Sequence, residues 1–465
     1  MICFHVVGKR LICGSAVFTN HYKRDYDNLD EIFDEGYMNI NVTKQLCAEV
    51  KLPKMLKVRQ LFDKEKIETA KIPDAVFAQM SRHELGDYIK PGQRIAITSG
   101  SRGIANIGII TRAIADFVKS KGASPFVVPA MGSHGGATAE GQTAVLASYG
   151  VTEESAGCPI LSSMETAVIG KNEEGQDVQI DKNAASADGI IVAGRIKPHT
   201  DFHGTYQSGL MKMMAIGLAK REGAEVCHEL GFGRMVHRVH LFGRAIIKQA
   251  PIVLGFGILE NAYDETRKFV TLKPDEIESE EPKILEEAWK HLPILYFKKT
   301  DVLVVDQIGK DISGTGMDPN VTGTGYCTPY VTKSCIEVLR TVVLDLSPAT
   351  HGNAFGIGAA HCTTKRLFDK IDFDACYVNA ATSRGLDQVK VPCILSNDRE
   401  AIQFALRTCL GIDSAKPRII RITDSLHTEN ILISEAMREE ADANEKIEIL
   451  GDAEDWPFNA EGNLF

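Results

Sequence analysis

Short apolar runs alternate with longer amphipathic segments along most of the chain. Residues 94–98 form a compact apolar run, a glycine-rich turn follows, and residues 107–121 space their apolar side chains as a helix does, up to Gly122. The next apolar run, at 126–130, completes a strand–helix–strand unit. This order predicts an α/β fold with βαβ units and a mainly parallel sheet.

The same pattern predicts further elements on both sides of this unit. Pro73 suits the start of a helix over 73–86, and Thr138 suits the N-cap of a helix over 138–150. A hairpin is expected within 167–180. Further strands are expected at 189–192, 252–259, 266–272, 301–306, 375–380 and near Ile394, and further helices at 208–219 and 399–408.

The length of 465 residues exceeds one ordinary core and predicts two domains. An acidic, proline-containing stretch places the boundary near Leu295, with the active site in the cleft between the domains. The N-terminal apolar run with its basic residues weakly resembles a signal peptide, but an extension upstream of a start at Met38 explains it better. The predicted parts are an extension of uncertain status (1–37), an N-terminal cofactor-binding catalytic domain (38–295), a smaller C-terminal α/β substrate and lid domain (296–440) and an acidic tail (441–465) that returns to the N-terminal domain or stays at the surface.

Composition and charge narrow the class of protein. With 44% hydrophobic and 25% charged residues, the chain has the composition of a soluble globular protein. The net charge of −10 argues against nucleic acid as a partner, and no apolar run approaches the roughly 20 residues of a membrane span. Eleven cysteines without paired spacing indicate reduced thiols and therefore a cytoplasmic location. The oligomeric state stays open.

Residues able to do chemistry concentrate in 194–223, directly after the expected strand at 189–192. They are His199, Asp201, His203, Ser208, Gly209 and Lys212. Ligands of parallel sheets bind beyond the carboxyl ends of strands, which makes this stretch a candidate site. Methionines surround Lys212, and an unpaired ammonium is costly in apolar surroundings. A covalent or anion-paired role is therefore expected for Lys212, and a solvent-facing helix lysine is the alternative.

Two earlier strand ends add candidates. His134 follows the strand at 126–130 among small residues, although a lone histidine is more often structural or solvent-facing. The turn at 99–103 precedes a helix and offers backbone N–H groups and Arg102 to an anion. It lacks the spacing of a dinucleotide fingerprint, and a plain tight turn explains it equally well.

Three marks occur together in order. They are Gly-Ser-His at 132–134, Ser-Gly-x-x-Lys at 208–212 after a histidine-containing loop, and His228 sixteen residues after Lys212. Together they resemble the nickel-pincer-dependent lactate racemase family, which includes 2-hydroxyacid racemases and epimerases. The resemblance covers the chain from about Met38 onward and rests on the order and spacing of the marks.

The resemblance implies a role for each matching residue. Lys212 would anchor the nickel pincer nucleotide (the pyridinium-3-thioamide-5-thiocarboxylic acid mononucleotide nickel complex), to which the lysine of the prototype is bound through a thioamide. His228 would be the protein ligand of nickel. His134 and His199 would be the two acid/base histidines, and Arg102 would hold substrate and cofactor. Enzymes that build the cofactor would be transient partners.

The chain also departs from the family pattern. Ser99 stands where the family turn has an aspartate, so the cofactor contacts must differ there; the other residues expected around the cofactor are Ser101, Ser208 and Gly209. His203 lies in a longer loop and is an alternative to His199 as the second base. Lys310 is a candidate substrate residue only because it follows a strand end. The substrate is therefore left open as a 2-hydroxyacid or sugar acid, and a covalent bond to Lys212 is also left open.

The implied chemistry explains these residue types. Inverting C2 of a 2-hydroxyacid through hydride removal requires a hydride acceptor, which side chains lack and a cofactor supplies. It also requires a base on each face of the carbon, and histidine exchanges protons near neutral pH. Arg102 offers a planar fork to the substrate carboxylate.

Three other functions compete with this hypothesis. A zinc-type hydrolase would use His199, His203 and His228, with His237 and His240 nearby, but no diagnostic ligand spacing is present. A nicotinamide-dependent dehydrogenase would require the missing fingerprint. A homologue that binds metal or nucleotide without catalysis would not need both His134 and His199.

Overall fold

A computed structural model shows the chain as two compact units, residues 1–51 and residues 52–465. It describes residues 40–82, 88–101, 103–324 and 336–465 and the backbone of 5–7 and 10–12. In the first unit, strands β1 (His5–Val7) and β2 (Arg10–Ile12) pair antiparallel, and helix α1 spans Ile40–Ala48. The prediction for 1–37 falls almost wholly outside the described residues.

The second unit alternates strands and helices, which confirms the predicted α/β class. Its strands are β3 (Met55–Gln60), β4 (Arg94–Ser99), β5 (Ser124–Pro129), β6 (Thr166–Lys171), β7 (Asp177–Asp181), β8 (Gly189–Arg195), β9 (Ile252–Glu260), β10 (Thr266–Leu272), β11 (Lys299–Ile308), β12 (Glu337–Leu346), β13 (Cys362–Thr364), β14 (Cys393–Leu395), β15 (Ile419–Ile422), β16 (Asn430–Ser434) and β17 (Ile447–Ile449). Its α-helices are α2 (Ile72–Ser81), α3 (Ile107–Ser120), α4 (Ala139–Ser148), α5 (Glu153–Ala156), α6 (Lys182–Ala185), α7 (Leu210–Lys212), α8 (Lys220–His228), α9 (Met235–Gln249), α10 (Pro274–Trp289), α11 (Pro319–Thr322), α12 (Lys365–Phe368), α13 (Phe373–Ser383), α14 (Asp398–Arg407) and α15 (Arg438–Asp442). Within the described part of the chain, no helix is long and apolar enough to cross a bilayer.

The described residues between 94 and 272 form a five-stranded sheet in the order β10-β9-β8-β4-β5. All its strands are parallel except β10, which pairs antiparallel with β9. Strand β8 is buried on both faces, because Ile190 and Val192 belong to one core cluster and Ile191 and Ala193 to the other. Double burial explains why the strand is continuously apolar in sequence. The parallel arrangement brings the carboxyl ends of β4, β5 and β8 to one edge.

A second sheet of eight described strands follows the order β14-β13-β12-β11-β15-β16-β3-β17. Strand β3 joins it although it precedes the five-stranded sheet in the chain, and it pairs antiparallel with β16 and β17. The tail also contacts this region, because the indole N–H of Trp456 donates to the Pro53 carbonyl at 2.9 Å. The domain boundary near Leu295 stays a prediction.

Most predicted elements match the structure, and one segment was mispredicted. Residues 375–380 lie in helix α13 and not in a strand. Asp372 starts this helix by accepting the N–H of Ala375 at 3.0 Å, and the buried residues Cys376 and Ala380 are four apart, as on one helix face. The segment of six residues was too short for its pattern of apolar residues to distinguish the period of a strand from that of a helix.

Candidate functional site

The helical segment that carries Lys212 leaves the α-helical pattern in its middle. Helix α7 ends at Lys212 and passes into a π-helix, Met213–Leu218, before α8 begins. The junction residue Lys220 has a left-handed backbone with φ of +55°. Such π segments are frequent at functional sites, because the wider turn displaces side chains from regular helical positions.

The π-helix lies against the carboxyl edge of the five-stranded sheet, and glycines permit the close approach. A Cβ on Gly100 or on Gly194 would lie 3.1 Å or 3.0 Å from the terminal methyl of Met213. The Gly217 carbonyl accepts the N–H of Gly132, in the loop after β5, at 3.2 Å. Lys212 therefore stands beside the edge where parallel sheets bind ligands.

Glu281 of α10 holds the start of this helical segment. Its carboxylate accepts the N–H of Met211 at 2.9 Å, and a Cβ on Gly209 would lie 2.3 Å from its Oε1. Burial raises the pKa of Glu281 to about 7, against the effect of its backbone hydrogen bonds. The carbonyl of Ser208 accepts the N–H of Lys197 at 2.9 Å. Thus Ser208 and Gly209 both lie at the turn that leads into Lys212.

Lys212 and His199 are in direct contact. The Lys212 Nζ lies 2.5 Å from His199 Nε2, and His199 Nδ1 accepts the backbone N–H of Asp201 at 3.0 Å. The ring also stacks on Phe202 with a centroid separation of 4.2 Å. The His199 ring therefore connects the Asp201 backbone to the Lys212 side chain.

His228, at the end of α8, lies within electrostatic reach of Lys212. Burial, together with the charges of Lys212 and Arg384, lowers the pKa of His228 to about 4. Burial raises the pKa of Asp201, whereas the charge of Lys212 opposes that rise. The structure therefore gathers Lys212, His199, Asp201 and His228. It keeps His228 neutral at ordinary pH, the form in which imidazole binds metals.

His134 is held at a neighbouring position on the same sheet edge. Its Nδ1 hydrogen bonds to the Ser101 hydroxyl, so the loops after β5 and β4 are joined. The Gln142 amide donates to the carbonyls of Gly132 at 2.9 Å and His134 at 3.3 Å. Ser99 is 2% exposed, and its hydroxyl has no hydrogen-bond partner among the described residues. Arg102 lies outside the described residues.

A buried lysine supports the His134 loop from behind. The Lys220 Nζ donates to the Pro129 carbonyl at 2.6 Å and to Gln142 Oε1 at 3.0 Å, and it lies 3.0 Å from Asp181 Oδ2. Burial lowers the pKa of Lys220, and the Asp181 carboxylate opposes this shift. Three acceptors thus surround an ammonium that has no contact with solvent. No local feature of the sequence predicted this network.

His203 has partners other than Lys212. Its Nε2 lies 2.7 Å from Asn320 Oδ1, and its ring stands edge-on to Trp289 at 5.0 Å. The Asn320 amide also donates to the His199 carbonyl at 3.2 Å. Asn320 of helix α11 therefore contacts both histidine residues, and the ring of His199 contacts Lys212.

Lys310 follows β11, as the sequence predicted, and approaches the site from the second sheet. Its Nζ donates to the Gly314 carbonyl at 2.7 Å and lies 4.3 Å above the Phe355 ring. Its charge opposes the rise in the pKa of Asp201, so Lys310 lies within electrostatic reach of that carboxyl group. A narrow cavity of about 10 Å³ lies beside Asp201; its lining residues are Thr200, Asp201, Thr315, Met317, Pro319, Thr324, Gly356, Ala359 and Gln388.

The arrangement gives little support to the zinc-type hydrolase. Within the described ranges, no three His, Cys, Asp or Glu side chains form a group that could hold a metal ion. His237 and His240 pair instead with Glu174 at 2.7 Å and Glu278 at 2.9 Å.

Comparison with known proteins gives two findings. The family model described as the lactate racemase N-terminal domain matches residues 33–237, a range that contains His134, His199, Lys212 and His228. Among solved structures, the chain is similar to the lactate racemase apoprotein from Thermoanaerobacterium thermosaccharolyticum, with 14% identity, a TM-score of 0.41, and coverage of 79% of this chain and 84% of that chain. No curated protein matches the chain.

Proposed function

We propose that this chain, which carries a lactate racemase-like N-terminal domain over residues 33–237, is a racemase or epimerase that inverts C2 of a 2-hydroxyacid with a bound nickel pincer nucleotide. One observation carries the proposal. Lys212 contacts His199 and lies within electrostatic reach of His228 at the carboxyl edge of the parallel sheet. The three residues occupy the places that the family resemblance gives to the anchor, one base and the metal ligand.

The residues present fit this cofactor. The Lys212 side chain, in contact with His199, could form an amide-type bond to the cofactor, and a neutral His228 could donate its lone pair to nickel(II), which accepts imidazole and sulfur ligands. The Ser99 hydroxyl is a buried group at the same edge whose hydrogen bond a ligand could complete. When bound, the cofactor would supply the hydride acceptor that the side chains lack.

The chain's own residues would manage the substrate proton and the substrate carboxylate. His199 and His134 would each hold the hydroxyl proton on one face of C2, because histidine gains and loses a proton near neutral pH. The hydrogen bond between the Ser101 hydroxyl and Nδ1 of His134 would orient this ring. Lys310 and Arg102 would attract the carboxylate.

The test uses protein co-expressed with cofactor-building enzymes. Intact mass should show a nickel- and sulfur-containing adduct that Lys212→Ala lacks. If the wild-type protein carries no adduct, the covalent attachment is refuted.

The bases are tested on nickel-loaded protein. His134→Ala and His199→Ala should each abolish C2 inversion while nickel stays bound, and His203→Ala is the matched control that should retain activity. Loss of inversion in His203→Ala with retention in His199→Ala would reverse the assignment of the second base. No inversion of any 2-hydroxyacid by loaded wild-type protein would refute the function.

The setting of the enzyme is part of the proposal. The structure shows free thiols at Cys158, Cys227, Cys376, Cys393 and Cys409, which supports a reducing, cytoplasmic location. Transient contact with the enzymes that build the cofactor follows from the need to load it.

A further inference from the structure

The cavity beside Asp201 is lined by Gln388, whose buried amide oxygen accepts no hydrogen bond from the described residues. Gln388 is 2% exposed, and its Nε2 donates to Asp201 Oδ1 at 3.3 Å. This bond fixes the orientation of the amide, and Oε1 is left without a hydrogen-bond partner among the described residues. Buried carbonyl oxygens in folded proteins almost always accept a hydrogen bond. The missing donor is therefore expected from a ligand.

Asp201 adds a second acceptor to the same cavity. Its carboxyl group is mostly buried and accepts a hydrogen bond from the Thr200 hydroxyl at 3.3 Å. The charges of Lys212 and Lys310 both act on this carboxyl group. Its backbone N–H bonds to His199 Nδ1, so the cavity adjoins the proposed base. The cavity thus places two acceptor side chains, Asp201 and Gln388, close to the reacting carbon of a substrate held at His199.

The size of the cavity limits what can enter. A volume of about 10 Å³ corresponds to roughly one water-sized group by this measure. A hydroxyl fits and can donate to an acceptor oxygen, whereas a methyl group would leave the Gln388 oxygen unsatisfied. Sites built to bond a hydroxyl discriminate strongly against analogues that lack it.

We propose that the substrate is a 2-hydroxyacid with a further hydroxyl next to C2, as in sugar acids, and that Gln388 and Asp201 are the residues that select it. The inference rests on the proposed racemase function. The inference distinguishes this chain from an enzyme whose substrate has a methyl group, without a hydroxyl, next to C2. The extra hydroxyl would donate to Gln388 Oε1 and lie against the Asp201 carboxyl.

The first experiment measures inversion of glycerate, the smallest 2-hydroxyacid with a second hydroxyl, and of lactate by nickel-loaded wild-type protein. We expect kcat/KM to be at least about 100-fold higher for glycerate. Gln388→Leu should lower this ratio at least tenfold, and Asp201→Asn should lower it while keeping the side-chain size. Gln249→Leu, the same substitution at an exposed position, should leave it unchanged. Equal kcat/KM values for the two acids, or an unchanged ratio in Gln388→Leu, would overturn the inference.

The second experiment works without the cofactor. Saturation-transfer NMR of the cofactor-free protein should detect glycerate more strongly than lactate, and Gln388→Leu should remove the difference. If loaded protein inverts no 2-hydroxyacid but this binding difference is present, the racemase proposal fails and the hydroxyl site stands. If inversion occurs without a preference for glycerate, the hydroxyl site fails and the racemase proposal stands. Circular dichroism establishes that each variant is folded.

Discussion

Replacing Lys220 by Met tests whether the buried network behind β5 supports the fold and the His134 loop. The Lys220 ammonium and the Asp181 carboxylate are 3.0 Å apart, and neither side chain is exposed. Methionine keeps a long flexible side chain but removes the charge. Asp181 would then remain as a buried carboxylate without its cation, and Pro129 and Gln142 would each lose a donor. Removing one partner of a buried pair costs about 3–5 kcal/mol.

Urea unfolding followed by circular dichroism measures this cost. Lys220→Met should lower the free energy of unfolding by about 3–5 kcal/mol. The matched control is Lys171→Met, which breaks an ion pair with Asp177 in which the lysine side chain is 65% exposed. Its free energy of unfolding should stay close to that of the wild type, because exposed pairs contribute little.

A second variant identifies the cause of the loss. Adding Asp181→Asn to Lys220→Met removes the buried charge that has lost its cation. The Oδ1 atom of Asn at position 181 can still accept the Ala184 N–H. The double variant should therefore recover part of the stability. The reasoning is refuted if Lys220→Met is no less stable than Lys171→Met, or if Asp181→Asn restores nothing. Hydrogen exchange should also show faster opening of the loop that holds His134, since Gln142 loses its anchor.

Three further changes test other parts of the site. Burial raises the pKa of Glu281 from 4.5 to about 7, so the unfolded chain loses this proton at a lower pH than the folded protein does. As the pH rises from 4.5 to 7, the free energy of unfolding of the wild type should therefore fall by about 3 kcal/mol relative to that of Glu281→Gln. The same pH dependence of the free energy of unfolding in both proteins, measured with urea, would contradict this. The lowered pKa of His228, about 4 against 6.5, means that its contribution to stability is complete above pH 6.5 and is lost as the pH falls toward 4. His228→Gln should flatten that acid limb in urea unfolding and should release nickel on dialysis, and full nickel retention by metal analysis would exclude His228 as the ligand. Ser101→Ala should reduce kcat for inversion about tenfold with unchanged nickel content, because it frees the His134 ring; an unchanged kcat would show that Ser101 does not position His134.

The first βαβ unit could be predicted because its signals are local. Strand β4 is a short apolar run, and α3 has a regular apolar face and ends just before Gly122. Thr138 also caps α4 as expected, accepting the Gly141 N–H at 3.0 Å. Such features depend on neighbouring residues only. No local signal predicts that β3 pairs with β16 and β17. The pairing and register of strands that are distant in the chain depend on which faces are buried in the folded sheet.

Some contacts of the candidate site could also be predicted from the sequence, and others could not. His199 and Lys212 follow one strand, so their proximity could be expected from the sequence. Glu281 and Gln388 reach the site from other elements; Gln388 meets Asp201 although the two are 187 residues apart in the chain. In the sequence, Glu281 belonged to an acidic stretch and Lys220 to the polar end of a helix. The structural roles of these two side chains depend on their burial, and burial cannot be read from the sequence because it is a property of the folded chain.

The position of β3 has a consequence for synthesis of the chain. This strand leaves the ribosome early, yet its two neighbours in the sheet, β16 and β17, are among the last strands to be made. The five-stranded sheet between 94 and 272 is contiguous and can fold while synthesis continues. The eight-stranded sheet must wait for its last strands, because among the described strands β17 pairs only with β3. A fragment that begins after Leu295 would therefore lack the strand that connects its C-terminal tail to the sheet.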